Sequence, residues 1–159
     1  MAVHPKIAEQ LKQDGVKYEI REHTAFRVPI RSPADFGCAL GYTIERITKS
    51  LLFRGRSIEE FVLAVCSANK KLDLAATAAL LNCGHLELAT APQLFSVTGY
   101  PPTGVSPLGL EGIRVIIDEG LLAYETILIG GGAIGVEVEM EPTVLVTCVR
   151  GMVGRIVRR

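Results

Sequence analysis

The sequence predicts a mixed α+β (α/β) fold, a single domain in which one twisted, mixed parallel and antiparallel β-sheet is surrounded by helices. Three observations point there. Apolar runs with the period of strands are interspersed with short segments at helical spacing. Some neighbouring strand runs are joined by short turns, which makes antiparallel pairs, and others are separated by a helix, which makes parallel ones. The chain has 159 residues, 48% of them hydrophobic, enough to bury one core across residues 1–159 without calling for a second domain.

Taken in order, residues 5–14 carry Ile7, Ala8 and Leu11 at helical spacing and stop at Gly15, a common helix terminator. Residues 16–21, V-K-Y-E-I-R, alternate as a half-buried strand does. Ser32 stands before Pro33 with an acid, Asp35, in the first turn, so a second helix is expected to run to Leu40 and end at Gly41, with Thr43 capping a further turn. Residues 49–54 and 60–67 are rich in Leu, Phe and Val and form a hairpin through G-R-S-I. Residues 72–82 are a Leu- and Ala-rich helix stopped by N-C-G. Residues 85–90 read as a strand and 92–98 as a helix opened by proline. After a loop, 113–118, 126–129 and 135–140 read as strands. The run P-T-V-L-V-T-C-V-R stays ambiguous: its β-branching favours strand, while Pro142 behind Glu141 is a good helix opening.

Charge and cysteine usage remove several function classes. Seventeen Lys and Arg balance seventeen Asp and Glu, so no global field draws the protein to nucleic acid or to an anionic membrane, and RNA contact must be local. The one bias is C-terminal, where Arg150, Arg155, Arg158 and Arg159 form a modest basic tail read as solvated. Cys38, Cys66, Cys83 and Cys148 lie far apart with no metal-ligand spacing. No cofactor and no metal is expected. No apolar signal core or run of about 18 apolar residues is present, so a cytoplasmic location is expected.

Residues 99–109, G-Y-P-P-T-G-V-S-P-L-G, hold three prolines and three glycines. Such a segment is a loop of fixed shape, suited either to connecting two elements or to presenting backbone N–H groups to an oxyanion or phosphate. Residues 130–135, G-G-G-A-I-G, match the dinucleotide fingerprint in letters only. No helix pattern follows them, so a tight strand-to-strand turn is the better reading. Lys49 opens an apolar run, where its charge must snorkel out or meet an anion. His23 follows the first strand, as an acid–base group or an edge residue. Glu137 and Glu139 share a strand face, read as solvated. No nucleophile–His–acid order, H-E-x-x-H pair or Walker loop is present.

These pieces resemble the YbaK family of aminoacyl-tRNA deacylases, related to the editing domain of bacterial prolyl-tRNA synthetases, over a core of about 16–157. The carriers are E-H-T with His23, I-T-K-S-L-L-F with Lys49 and Ser50, the G-Y-P-P-T-G-V-S-P-L-G loop, the strand ending in Asp118, and the G-G-G turn. The resemblance implies trans-editing: hydrolysis of the ester of a mischarged tRNA, with Ala- or Cys-tRNA(Pro) the usual substrates and a synthetase a possible partner. It further implies catalytic roles for Lys49, near the terminal adenosine phosphate, and for the N–H groups of Gly104 and Gly131 at the oxyanion. Substrate would be held by His23, Ser50, Gly99, Thr103, Ser106, Pro107, Gly130 and Gly132. The family pattern G-x-x-x-P has Thr103 at its leading glycine here, which narrows the pocket and places a β-branched residue where a positive φ is expected. The alternative function is a non-catalytic module that binds a tRNA end or a nucleotide.

Overall fold

A computed structural model describes residues 3–56 and 60–159. The opening helix, α1 (Pro5–Asp14), ends as expected at Gly15 in the left-handed region. The first strand, β1, is Glu19–Glu22, later than residues 16–21. Helix α2 (Pro33–Leu40) has the foreseen bounds: the Ser32 hydroxyl accepts from Asp35 N–H, and Gly41 closes it at φ 72°. A 3₁₀ turn, Ile44–Arg46, follows Thr43, whose side chain does not cap it.

Strands β2 (Thr48–Gly55) and β3 (Phe61–Ser67) pair antiparallel as the predicted hairpin. Ser57 and Ile58 of the proposed G-R-S-I connection lie outside the described residues. Helix α3 is Leu74–Leu81, started by the Asp73 carboxylate and ended by Asn82 itself at φ 54°, in place of a glycine stop. Strand β4 (Leu86–Leu88) is short, and α4 (Ala91–Thr98) opens on a reciprocal Thr90–Gln93 capping box. Strands β5 (Arg114–Asp118), β6 (Ile127–Gly130) and β7 (Val136–Met140) fall where expected. The ambiguous segment is a helix, α5 (Pro142–Val149). Beyond it Arg150, Arg155, Arg158 and Arg159 are exposed as expected, while between them the backbone is held: Met152–Gly154 forms β8, parallel to β5, and Ile156 is fully buried.

The fold class is the mixed α+β one predicted, with its strands divided between two sheets. The larger is mixed, in the order β4-β2-β3-β5-β8, and the smaller is antiparallel, β1-β7-β6. A lone parallel bridge, Ile47↔Leu128, joins them. Alternation along the strands sorts the core. Leu52, Leu63, Val65, Val115 and Ile117 face the smaller sheet's Ile127, Ile129, Val138 and Met140, closed by Ile7 and Leu11 of α1. The opposite parity, Phe53, Val62, Ala64 and Ile116, packs on Ala78 and Leu81 of α3. At the sheet junction Phe36 of α2 covers Ile47 and Leu128.

Candidate functional site

Where the two sheets part, a cleft of about 430 Å³ opens, and the path of β2 explains it. Residues of odd number in β2 bond to β3, as Ile47 O accepting from Ala68 N–H and Gly55 N–H donating to Glu60 O show. Even residues face the other edge, where Leu52 O accepts from Ala89 N–H and Arg56 N–H reaches His85 O. By the same parity the N–H and C=O of Ser50 point at this second edge. The β4 segment that would pair with Ser50 has by then turned into α4, which begins at Ala91. On the other side, contact with β6 ends at Ile47↔Leu128 and at the Thr48 hydroxyl donating to Leu128 O, 2.7 Å. Ser50 therefore sits in a gap between two strands, and its Oγ is the only buried side-chain polar atom without a partner among the described residues.

The far wall is built from the two glycine-rich segments, locked together. Gly132 N–H donates to Gly104 O, 2.8 Å. A Cβ on Gly104 would meet the Ala133 backbone at 2.8 Å, and one on Gly130 would meet Val105 O at 2.1 Å. Only glycine allows this approach. Helix α1 braces the wall from behind: His4 N–H donates to Gly131 O, Lys6 Nζ to Thr98 O, and Gln10 Oε1 accepts from Gly109 N–H.

Of the residues singled out in the sequence, His23, Lys49, Ser50, Thr103 and Gly130 line this cleft. Gly99, Gly104, Ser106, Pro107, Gly131 and Gly132 do not. Gly99 caps α4, and the buried Ser106 hydroxyl accepts from Leu108 N–H. The N–H groups expected to hold an oxyanion are already engaged, Gly104 with Pro101 O and Gly131 with Val136 O. Thr103 lies in a 3₁₀ turn, and among the described non-glycine residues only Asn82 and Arg150 have positive φ, so the expected strain at Thr103 is absent.

Residues not singled out complete the lining. Ile30, Phe36, Leu51, Val105 and Ile134 make it largely apolar, and Arg31 adds a second cation beside Lys49. The face of Glu137 and Glu139 is not solvated. Glu137 lines the cleft, its Oε2 2.8 Å from His23 Nε2. Glu139 is buried and accepts from Arg21 at 2.8 Å, Arg46 at 3.2 Å, Tyr42 and Thr126. Burial works against its ionisation, yet hydrogen bonds from Thr126, Arg21 and Tyr42 and the charge of Arg21 outweigh it and hold the carboxyl below its ordinary value. Cys66 lies opposite Lys49 in the β2–β3 ladder. Burial pushes its thiol up to about 11, with Lys49 opposing and Asp118 adding, so at neutral pH it is protonated and a poor nucleophile.

Comparison with known proteins gives three findings. The model of the aminoacyl-tRNA editing domain family matches residues 28–148. Curated relatives include the proline–tRNA ligase of Thermosipho melanesiensis, 26% identical over 64% of this chain and 18% of the ligase. Another is the candidate Cys-tRNA(Pro)/Cys-tRNA(Cys) deacylase EbsC of Enterococcus faecalis, 28% identical over 74% of this chain and 72% of that one. The chain thus spans under a fifth of the first ligase. Among solved structures, a hypothetical protein superposes with a TM-score of 0.85 at 25% identity, covering 96% of this chain and 99% of the other. A candidate trans-editing enzyme for prolyl-tRNA synthetase superposes at 0.82 with 23% identity, covering 99% and 100%.

Proposed function

Because the chain belongs to the aminoacyl-tRNA editing domain family, we propose that its cleft removes the amino acid from a wrongly charged tRNA, acting in trans as an aminoacyl-tRNA hydrolase. The open register at Ser50 carries this reading. Ser50 lines the cleft with its backbone N–H at the unpaired edge of β2 and its hydroxyl without a partner, and hydrogen-bond donors held ready in this way are what a developing oxyanion requires. Ser50 takes the part first expected of Gly104 and Gly131, whose N–H groups are bonded to backbone carbonyls.

The ester enters with its carbonyl oxygen toward Ser50. Lys49 and Arg31 meet the phosphate of the terminal adenosine. The amino acid side chain lies against Val105, Ile134 and Thr103, a small and mostly apolar surface suited to alanine or cysteine. An aminoacyl ester is activated already, so oriented water and oxyanion stabilisation suffice without a covalent intermediate, in keeping with the protonated state of Cys66. A synthetase that confuses substrates differing by one methylene gains only about 1–3 kcal/mol of discrimination, and a second site that sieves by size restores fidelity. The similarity to EbsC supports a substrate among Cys-tRNA(Pro) and its near relatives.

The test is deacylation of a panel of mischarged tRNAs centred on Ala-tRNA(Pro), Cys-tRNA(Pro), Ser-tRNA and Thr-tRNA, with Lys49→Ala alongside. Cleavage of one species, weakened at least tenfold in kcat/KM by Lys49→Ala, is expected, since one charge-assisted contact to phosphate is worth about 1.5–3 kcal/mol. Failure to cleave any species would leave a module that binds tRNA ends without chemistry.

A further inference from the structure

We propose that helix α1 sets the size limit of the amino-acid sieve, with Lys6 and Gln10 as positioning residues that pin the two ends of the 99–109 loop; the inference rests on the deacylase reading above. The loop hangs on two glycines at positive φ, Gly99 at 77° and Gly109 at 74°. Between them it carries Pro102, Thr103 and Val105 to the cleft. Glycines at both ends leave such a segment free to swing as one body.

A pin stands at each end. Lys6 Nζ donates to Thr98 O at 2.7 Å, one residue before Gly99. Gln10 Oε1 accepts from Gly109 N–H at 2.7 Å, and its Nε2 donates to Cys148 O at 2.9 Å, so the amide is held on both sides. Lys6 and Gln10 stand one helical turn apart, neighbours on one face of α1. Lys6 also spans the two ends. Its ammonium lies 4.7 Å from the centre of the Tyr100 ring, and a Cβ on Gly109 would meet the Lys6 Cβ at 3.0 Å. Tyr100 closes the loop by donating to Leu108 O at 2.6 Å, which ties the pinned ends to each other.

Seating of the helix and pinning of the loop fall to different residues. Ile7 and Leu11, fully buried in the core, hold α1 in place. Lys6 is exposed and Gln10 half-buried, so losing the ammonium or the amide leaves the helix seated. Helix α1 also precedes residues 28–148, which the family model matches, so the wall is adjusted from outside the matched region. A pocket separates substrates differing by one methylene about 10–200-fold in rate, and only while its wall holds station. The Ser50 donors and Lys49 belong to β2, which neither pin touches. Loosening the loop therefore changes which side chain fits more than it changes the chemistry.

The test compares kcat/KM for the mischarged tRNA that the native protein cleaves with that for the same tRNA carrying an amino acid one or two carbons larger. Lys6→Met keeps the stem against Tyr100 and removes the donor; Gln10→Ala removes the acceptor. Each is expected to lower the ratio of smaller to larger substrate by about fivefold or more, with kcat for the smaller one within about twofold of native. Lys6→Arg, which keeps a donor for Thr98 O, is expected to restore the ratio. Gln13→Ala, whose amide donates to Glu9 on the exposed face, is expected to leave it native. Hydrogen exchange reads the pin without substrate: in Gln10→Ala the Gly109 amide should exchange about tenfold faster or more, with the amides of β3 and β5 unchanged. Melting curves verify folding. A native ratio in the folded variants would overturn the proposal and leave the deacylase reading intact, as would an equal loss toward both substrates or a Gly109 amide as slow as the native one. A native protein inert toward every aminoacyl-tRNA would overturn the deacylase reading and the sieve with it.

Discussion

Ser50 and Glu139 are both polar groups taken out of water, and they predict opposite outcomes when altered. A buried hydroxyl without a partner costs about 1–3 kcal/mol, so Ser50→Ala is expected to leave the melting temperature unchanged or raised. Its turnover should nonetheless fall about tenfold or more, because one of two oxyanion donors is gone. A melting curve and a deacylation rate on the same preparation check this, and a loss of stability together with full activity would make the hydroxyl structural. Glu139 is fully engaged, and replacing its charge with Glu139→Gln strands Arg21 and Arg46, at an expected cost of about 3 kcal/mol in urea unfolding. The pH dependence has a definite sign. A carboxyl held below its ordinary value of 4.5 contributes its full stability above that value and loses it as the pH falls through the folded-state value. The native protein should therefore lose stability below about pH 4.5 more steeply than Glu139→Gln does.

Among elements, the glycines divide by what surrounds them, and this separates what the sequence discloses from what it withholds. Gly41 closes α2 at φ 72° with nothing within 4 Å of an added Cβ, so Gly41→Ala should cost about 1 kcal/mol, the conformational penalty alone. At Gly130 an added Cβ would stand 2.1 Å from Val105 O, a backbone atom that cannot move aside without parting the wall of the cleft. Gly130→Ala should therefore cost several times as much and abolish activity, which thermal melts and deacylation would read together. Local chemistry makes α2 legible: serine cap, proline and closing glycine all lie within the segment itself. The lock between residues 104 and 130–133 joins segments far apart in sequence, so the glycines and prolines can be recognised as shaping a loop, but not as having their N–H groups turned toward one another. Glu137 and Glu139 defy the solvated reading for a related reason. A period of two states which residues share a face, but the covering of that face by Arg46 and Tyr42, and the arrival of His23, depend on where other elements pack. Lys49, Ser50, His23 and Thr103 are legible from their motifs, while the gap at Ser50 depends on where β4 ends and β6 diverges.

For the molecule as a whole, the proposed cleft is a consequence of two sheets that, among the described residues, share only one bridge. The paired core on either side is continuous and apolar, and the seam between the sheets exposes strand-edge donors without leaving a long open edge for aggregation. Charge is distributed to match. With seventeen positive and seventeen negative side chains, the surface offers no sustained attraction for the body of a tRNA, and the cations that line the cleft are Lys49 and Arg31. Recognition should then be confined to the single-stranded terminus, where each phosphate neutralised lowers the slope of log affinity against log salt by about 0.7. Two such contacts give a slope of about −1.4, and Lys49→Ala should reduce it to about half that value. Titrating a deacylated tRNA at several salt concentrations checks both figures. A slope of about −4 or steeper would mean that exposed cations outside the cleft, among them Lys70, Lys71, Arg155 and Arg158, also grip the nucleic acid, and the acceptor stem would then have to lie across the β8 side of the larger sheet.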